Sequence, residues 1–284
     1  MIDFQHGQVS PERWHGKLSV CYESSGGRTY PKISEMVAPL KLYRPFYDGN
    51  CATSVLLHTA GGMVGGDCLS IAARLTPDTQ VFWTTPSAAK VYRSAGQWVE
   101  NDVNLTIEPG ACLTWFPLET ILYDGARYQQ QVRIDCHPGA LCCGWDLTRL
   151  GRTALGERFD GGEWRSRTSV FSQGIPVWID AQASFAPSAG LESEYGLAGF
   201  PVVGAFYALG KEISAATLQQ IRELISLPSE QTFRFGVTRL PEGLVARYRG
   251  HSTAEGKHWF IEVWQILRRE WNREILSRPR IWPI

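Results

Sequence analysis

A strand, a proline turn and a second apolar strand recur three times between residues 75 and 146. The copies read LTPDTQVFWTT, IEPGACLTWFP and CHPGALCCGWD. Their prolines, Pro77, Pro109 and Pro138, lie 32 and then 29 residues apart. A unit repeated at this spacing buries its apolar face against its neighbours. The repeat therefore predicts a mainly β protein whose sheets are stacked as a solenoid or packed as a sandwich.

Further strand signals surround these turns. VNLTI from Val103 and VRIDC from Val132 alternate apolar and polar residues, as a half-buried strand does. RTSVF and IPVWID are joined through Ser172-Gln173-Gly174, which predicts a hairpin that continues the sheet. Because all-β architectures commonly use this much chain in one domain, we expect a single domain over residues 1–284.

Two helices are expected in the C-terminal third. The first begins after Ser214 and ends before Pro228, and one of its faces carries Leu218, Ile221, Leu224 and Ile225. The second begins at Ser252-Thr253-Ala254-Glu255, which has the spacing of a capping box. Its apolar stripe comprises Phe260, Trp264, Leu267, Trp271 and Ile275.

This apolar stripe has two interpretations. Such stripes most often pack a helix against a core, so we expect the helix to dock on the β-sheets. A face that binds a partner protein is the alternative. The tail, SRPRIWPI, contains two prolines and cannot extend the helix, so an extended arm is expected there.

Charge and hydropathy exclude several classes of partner. The chain has 28 basic and 28 acidic residues, so no basic field attracts nucleic acid or anionic membranes. The longest mostly apolar stretch, LAGFPVVGAFYAL, is too short to span a bilayer, and no secretory signal is visible. We expect a soluble cytoplasmic protein. Low net charge with 11 tryptophans favours association with a protein partner.

The seven cysteines are an odd number in a long chain, which indicates reduced thiols. Cys136, His137, Cys142 and Cys143 offer ligands that suit nickel or zinc. However, the spacing C-H-x4-C-C matches no standard metal pattern, and adjacent cysteines in a strand point to opposite faces. We interpret these cysteines as small core residues, with a metal site as the alternative.

The stretch GGMVGGD carries Gly61, Gly62, Gly65 and Gly66 and ends on Asp67. A phosphate-binding loop would end in Gly-Lys-Ser/Thr, and the dinucleotide fingerprint needs G-x-G-x-x-G, so neither nucleotide pattern fits. Paired glycines instead allow a tight loop that positions Asp67. A structural turn with a capping aspartate and a functional acid on a rigid loop are both open.

Neighbouring residues add two hypotheses about this loop. Lys90 and Arg93 could neutralise Asp67 in a core ion pair. His58, three residues before Gly61, is a candidate metal ligand or a satisfied core histidine.

An enzyme is a separate hypothesis. It would use Asp67, Asp146 or Glu157 as acid and base, with a cysteine nucleophile. No G-x-S-x-G, H-E-x-x-H or Cys-His signature is present, so we do not predict catalysis.

Five sequence blocks follow one another from about residue 56 to residue 282. They are GGMVGGDCL, TTPSAAKVYRSAG, FPLETILYDGA, GWDLTRLGRTALGERFDGG and PRIW. In this combination the chain resembles the urease accessory protein D family (UreD, called UreH in some organisms).

The resemblance implies a mostly β scaffold without catalytic activity that serves urease maturation. The chain is similar to proteins that bind accessory protein F and also contact the urease apoprotein. Accessory protein F in turn recruits the GTPase accessory protein G. The complex inserts nickel into urease. The resemblance implies no tightly bound cofactor, transient nickel in an internal water-filled tunnel, and GTP chemistry in the G partner. A plain interaction scaffold without metal contact is the alternative.

Through the resemblance, the family's tunnel acids correspond to Asp67 of GGD, Asp146 of GWD and Asp180 of IPVWID, where many relatives have Glu. Glu157 of LGE is either structural or tunnel-facing. Carboxylates and water attract a hard divalent ion without the tight grip of thiolate and imidazole, which suits transport. For contact with the F partner, the C-terminal helix and tail offer Phe260, Trp264, Trp271 and Trp282.

Overall fold

The structure is a computed structural model that describes residues 14–185, 189–224, 233–273, 279 and 281–282. The strands, in chain order, are β1 (His15–Ser25), β2 (Arg28–Val37), β3 (Leu40–Leu42), β4 (Phe46–Asp48), β5 (Cys51–His58), β6 (Cys68–Leu75), β7 (Gln80–Thr84), β8 (Ala89–Val91), β9 (Val99–Ile107), β10 (Cys112–Phe116), β11 (Thr120–Leu122), β12 (Arg127–Cys136), β13 (Leu141–Leu150), β14 (Glu163–Ser172), β15 (Ile175–Phe185), β16 (Val202–Leu209), β17 (Phe233–Leu240) and β18 (Gly243–Gly250). The helices are α1 (Ala189–Glu192), α2 (Ala215–Glu223) and α3 (Thr253–Glu270), with one 3-10 turn at Thr153–Leu155.

These strands form two sheets. The first sheet has seven strands in the order β15-β14-β12-β9-β6-β1-β2. The second has 11 strands, with β17-β18-β16-β13-β10-β7-β5-β3 along its main path and β4, β8 and β11 beside it. From β5 to β14 the chain crosses between the sheets, and successive strands within each sheet pair in parallel. This solenoid-like stacking confirms the mainly β prediction.

The repeated proline turns are the corners at which the chain passes from the first sheet to the second. The residue after each proline has a positive φ, which is 62° at Asp78, 77° at Gly110 and 81° at Gly139. This conformation is the one that the third residue of a type II turn requires, with proline before it. The corners also stack, because the Gly110 N–H donates to the Gly139 carbonyl at 3.2 Å. Each copy of the sequence repeat thus forms the corner of one coil, a coil being one strand of each sheet with the turn that joins them.

The central strands of the second sheet are buried on both faces. Its inner face packs against the first sheet, in a core that includes Leu18, Trp83, Leu113, Tyr128 and Ile134. Its outer face packs against α3, in a core that includes Phe82, Phe116, Trp145, Phe206 and Phe260. The rings of Phe116 and Trp145 stack with centroids 3.8 Å apart and planes 4° apart. We call these two regions the inner core and the outer core.

Both predicted helices are present and begin where the sequence indicates. The Ser214 hydroxyl accepts from the Thr217 N–H at 3.2 Å, and the Ser252 hydroxyl accepts from the Glu255 N–H at 3.3 Å. The Glu255 carboxylate accepts instead from the Tyr248 hydroxyl. Ile225, Pro228 and Ile275, which the sequence interpretation also used, lie outside the described residues.

The C-terminal aromatic residues are core residues. Phe260, Trp264 and Trp271 are buried in the outer core, which confirms that the helix packs on the β-sheets. The expectation of an extended arm is wrong for the described part of the tail, because the Trp282 N–H donates to the Pro279 carbonyl at 3.1 Å and forms a turn. Trp282 is buried there, and its indole N–H donates to the Thr84 hydroxyl at 2.7 Å. As partner-binding candidates these four side chains offer a partner little surface, because the chain already covers them.

No helix among residues 14–185, 189–224 and 233–273 is long and apolar enough to cross a bilayer. The predicted hairpin is confirmed, because β14 and β15 pair antiparallel. Its turn residues Gln173 and Gly174 have φ of 51° and 78°, as a two-residue hairpin loop requires.

The corners give the first prediction. We expect Gly139→Ala to lower the free energy of unfolding by about 1–2 kcal/mol, because an L-residue is strained at positive φ. Asp78→Gly should raise it, since glycine relieves the same strain. Gly236→Ala is the control, because Gly236 has ordinary φ and no atom within 4 Å of an added Cβ. Urea unfolding measures all three, and equal effects at Gly139 and Gly236 would contradict the corner geometry.

Candidate functional site

A cavity of about 530 Å³ lies between the inner faces of the two sheets. Its walls come from β6, β9, β12 and β14 of the first sheet and from β5, β10, β13 and β16 of the second. Residues 60–63 and 85–90 lie at one end. The cavity exceeds by far the volume that one water molecule needs.

Polar side chains occupy the inner face of the first sheet where apolar ones are usual. The register places Asn101, Gln130, Ser166 and Gln182 side by side across β9, β12, β14 and β15. We call these four residues the polar row. The Asn101 amide donates to the Tyr128 hydroxyl and to Gln130 Oε1, both at 3.2 Å. Asn101, Tyr128 and Gln130 thus form a hydrogen-bonded group within the sandwich.

Asp146 faces this row from β13. Its Oδ2 accepts from the Ser166 hydroxyl at 2.5 Å, and its Oδ1 accepts from the Thr148 hydroxyl at 3.5 Å. Burial raises the pKa of this carboxyl, while the hydrogen bond from Ser166 lowers it, the nearby Asp180 charge raises it and a hydrogen bond from Gln130 lowers it. Asp146 is thus an acid in the cavity wall, held by neutral polar groups.

The three residues of GWD are divided between the two faces of β13. Gly144 leaves room for the Tyr207 phenol, whose hydroxyl occupies the place of a Cβ at that position. Trp145 points into the outer core, and its indole N–H donates to the Pro117 carbonyl at 2.6 Å. Asp146 points into the cavity. The alternation of side chains along β13 explains this division.

Asp180 lies on β15 two residues before Gln182 of the polar row, opposite Thr168 on β14. Its Oδ1 binds Arg247 of β18 at 2.6 Å, and its Oδ2 accepts from Gln182 at 2.7 Å. The Asp180 side chain is 12% exposed, against 55% for Arg247. This ion pair links the two sheets at the edge of the sandwich, beyond the polar row.

Glu157 is held outside the cavity wall. Its carboxylate accepts from the Arg152 guanidinium at 3.0 Å, from the Arg152 N–H at 3.1 Å and from the Asp124 N–H at 3.2 Å. The guanidinium and these backbone donors lower the pKa of Glu157 to about 2, against the opposing effect of burial. The sequence left open whether Glu157 is structural or tunnel-facing, and the geometry supports the structural role.

The glycine loop packs closely against residues 92–97. A Cβ at Gly62 would lie 2.5 Å from the Tyr92 ring, and one at Gly65 would overlap the Ser94 hydroxyl. Gly66 has φ of 100°, which favours glycine. A Cβ at Gly61 meets no atom within 4 Å. Three of the four glycines are therefore required by space or by backbone conformation.

Asp67 anchors this loop. It is buried, and its Oδ2 accepts from the Val64 N–H at 2.8 Å. The hypothesis of a core ion pair with Lys90 or Arg93 is wrong: Arg93 binds Asp124 at 2.7 Å, and Lys90 is exposed at the cavity rim. Residues 60–63 of the loop contribute to the cavity wall and Asp67 does not, so the geometry supports the structural turn.

His58 lines the cavity at the same end. Its Nδ1 lies 3.1 Å from the Ala60 carbonyl, and because a carbonyl only accepts, Nδ1 carries the proton of that bond. In the neutral ring Nε2 is then an acceptor. Nε2 is buried and has no hydrogen-bond partner among the described residues.

The cysteines are packed into the two cores. Cys142 belongs to the inner core and Cys143 to the outer core, which confirms that they face opposite sides of the strand. Burial raises the pKa of both thiols well above the usual value and that of Cys136 to about 12. These thiols stay protonated at neutral pH, and a protonated thiol is a poor metal ligand. The described ranges contain no group of three His, Cys, Asp or Glu residues that could hold a metal ion.

The sequence interpretation missed the polar row and Tyr207. A signal was present, because VENDVNLTI and RYQQQVRIDC alternate polar and apolar residues and carry Asn101 and Gln130 at inward positions. Recognising them needs the register between strands, which alternation within a single strand does not provide. Tyr207 lies in a strand that is apolar throughout, so nothing there marks its hydroxyl.

The fold and cavity define a class: a stacked β scaffold that encloses a polar cavity with a carboxylate in its wall. Comparison with known proteins identifies the family. Residues 15–283 match the family model described as UreD urease accessory protein. The chain is 47% identical over 272 residues to the urease accessory protein UreD of Acaryochloris marina, covering 95% of this chain and 96% of the relative.

Further relatives agree. The chain is 43% identical over 275 residues to the UreD protein of Nostoc punctiforme, covering 96% of this chain and 97% of the relative. It is 40% identical over 285 residues to that of a Picosynechococcus species, covering 99% of both. The chain therefore belongs to the UreD urease accessory protein family, and the resemblance seen in the sequence blocks is confirmed.

The glycine loop gives the second prediction. We expect Gly65→Ala to lower the free energy of unfolding by about 1–3 kcal/mol, because the new methyl group displaces Ser94 from a close contact. Gly61→Ala is the matched control and should change it by less than about 0.5 kcal/mol, since open space surrounds that position. Thermal unfolding measures both variants. Equal losses at the two glycines would show that the loop is not packed as described.

Glu157 gives a prediction with a pH dependence. Because its folded pKa is depressed, its contribution to stability is fully present above the ordinary value of 4.5 and is lost as the pH falls toward about 2. We expect Glu157→Gln to lower the free energy of unfolding at pH 7 by about 1–2 kcal/mol, allowing for solvent screening. The difference between the two proteins should shrink steadily below pH 4.5.

The control for Glu157 is Glu192→Gln, which alters an exposed ion pair with Arg158. An exposed pair contributes about 0–1 kcal/mol, so this variant should unfold close to the unmodified protein. Urea titrations at several pH values compare them. A Glu157→Gln deficit that does not change between pH 7 and pH 3 would contradict the role of the carboxylate charge.

Proposed function

We propose that this protein is a scaffold subunit of urease maturation that binds the urease apoprotein together with accessory proteins F and G. In this proposal it guides Ni²⁺ through the cavity between its sheets toward the urease active site. It carries out no catalytic step, it acts in the cytoplasm, and the GTP chemistry belongs to the G partner. The observation that carries the proposal is Asp146 beside Asn101 and Gln130 in the wall of a cavity, in a chain of the UreD family.

The chemistry of the cavity wall suits an ion that passes. Asp146 supplies one carboxylate, Asn101 and Gln130 of the polar row supply amides, and Ser166 holds Asp146 by a hydrogen bond. Oxygen donors attract a divalent ion, whereas tight nickel binding uses imidazole and thiolate. Because no larger group of metal ligands lies in the described ranges, an ion bound near Asp146 can leave again.

The polar row also gives the cavity a direction. At one end lie His58 and the exposed Lys90. Beyond the cavity wall the row continues to Gln182, which together with Arg247 lines a separate surface groove of about 330 Å³. Asp180 is hydrogen-bonded to Gln182 and paired with Arg247. In our proposal the ion moves along this row, and Asp180 takes part when Arg247 releases it.

The roles of the sequence candidates follow from these positions. Asp146 is the main acid of the proposed path, and His58 offers an acceptor at the rim. Asp180 is a second acid near the groove. Asp67 and Glu157 maintain the backbone around the cavity. In our proposal accessory protein F binds an exposed surface that does not include Phe260, Trp264, Trp271 and Trp282, because these side chains fill the outer core.

The test of the proposal is Asp146→Asn, which keeps the shape of the side chain and removes its charge. We expect the nickel content of urease, matured with purified accessory proteins, to fall by about tenfold, as loss of roughly 1.4 kcal/mol of cation binding implies. Assembly with the F partner and apoprotein should persist. The measurements are metal analysis of urease and size-exclusion chromatography of the complex.

Asp135→Asn is the matched control, because Asp135 lies on β12 in an ion pair with Arg133 that is partly exposed to solvent. It should leave nickel loading unchanged. Unchanged loading with Asp146→Asn as well would favour a scaffold that makes no metal contact. The variant Asp67→Ala tests whether Asp67 is structural or belongs to the nickel path. Loss of complex assembly would indicate a structural role, whereas loss of nickel loading alone would indicate an acid of the path.

A further inference from the structure

Three buried polar atoms in the described ranges have no hydrogen-bond partner and belong to residues that line the cavity. They are Tyr207 Oη, Asn101 Oδ1 and His58 Nε2. An unpaired buried polar group costs about 1–3 kcal/mol, and native structures contain few of them. Three on the wall of one cavity indicate that something polar meets them there.

Tyr207 is the clearest of the three. Its side chain is 1% exposed, and a buried tyrosine hydroxyl normally has a hydrogen-bond partner. The fold makes room for this phenol, because any side chain at Gly144 would occupy the same space. Glycine inside a strand is otherwise unfavourable. The Tyr207 hydroxyl is therefore held in the cavity wall by a glycine that lowers the stability of β13.

Asn101 and Asp146 belong to the same network. The Asn101 amide nitrogen is used by Tyr128 and Gln130, so its orientation is fixed and its oxygen is left without a partner. Gln130 lies beside Ser166, whose hydroxyl donates to Asp146, and Tyr207 lies opposite Gly144, two residues before Asp146 on β13. One carboxylate and two neutral oxygens thus lie around one part of the cavity.

We propose that Tyr207 Oη and Asn101 Oδ1 hold the water shell of a hydrated divalent cation beside Asp146, so that the ion passes without being stripped. Water bound to a divalent cation is a strong donor, and both oxygens accept hydrogen bonds. Strongly hydrated divalent ions keep several waters and take few carboxylates. Asp146 supplies the charge, and Tyr207 and Asn101 act as positioning residues.

This inference rests on the proposed function and deepens it. The test uses the complete maturation system of accessory proteins, urease apoprotein and Ni²⁺, with the initial rate of nickel incorporation as the readout. We expect Tyr207→Phe to lower that rate by about fivefold, which corresponds to one net hydrogen bond of about 1 kcal/mol. Asn101→Leu should lower it at least as much.

Tyr22→Phe is the matched control. Tyr22 is a fully buried tyrosine of the inner core, and its hydroxyl donates to Ser54 at 2.7 Å, away from the cavity wall. Its loss should reduce stability and leave nickel incorporation unchanged. Thermal unfolding of each variant separates a fold defect from a passage defect.

The outcomes distinguish the two proposals. If Asp146→Asn is impaired and Tyr207→Phe matches the unmodified protein, the water-shell inference is overturned while the function stands. If neither variant is impaired, both fail. A high-resolution crystal structure of the full chain serves where a variant folds poorly: ordered water within hydrogen-bond distance of Tyr207 Oη and Asn101 Oδ1 supports the inference, and a dry cavity overturns it.

Discussion

Parallel pairing between successive coils determines which side chains reach the interior. In parallel strands held in register, equivalent residues of neighbouring coils lie beside each other, and every second one faces inward. Asn101, Gln130 and Ser166 form a row because their strands pair in this way. A shift of one residue in any coil would send that residue to the solvent face. The cavity, the polar row and the position of Asp146 all depend on this register.

The second sheet carries polar groups on its inner face and aromatic groups on its outer face. The inner face accepts a cavity and a buried carboxylate, both of which weaken packing. The outer face is filled by aromatic side chains such as Phe116 and Trp264, whose rings meet edge to face with centroids 5.1 Å apart. Aromatic contacts of this kind add about 0.5–1.5 kcal/mol each beyond burial of area. The outer core thus stabilises a sheet whose inner face is partly given to polar groups.

The sequence predicted those parts of the structure that local chemistry determines. Pro77, Pro109 and Pro138 predicted the corners because a type II turn has its own residue requirements, and Ser252 predicted the start of α3 because a helix needs a capping acceptor. The direction of Asp67 was not predictable, since a loop aspartate can bind its own backbone or point into a cavity with the same local sequence. Glu157 was ambiguous for a similar reason, because its partners Arg152 and Asp124 come together only in the fold. The described tail was predicted wrongly, as proline content excludes helix without indicating where Trp282 packs.

The contact between Trp282 and Thr84 joins residues that are 198 positions apart in the chain. Trp282 also packs its ring against Phe82 and Trp145, so a patch of the outer core stays uncovered until this late segment arrives. Contacts of such long range are slow to form, and an apolar patch that waits for its cover is exposed to aggregation. During synthesis the aromatic side of β7 and β13 is therefore exposed to solvent while α3 and Trp282 are still being made. The inner core is organised by neighbouring coils, whereas the covering of the outer core depends on contacts between distant parts of the chain.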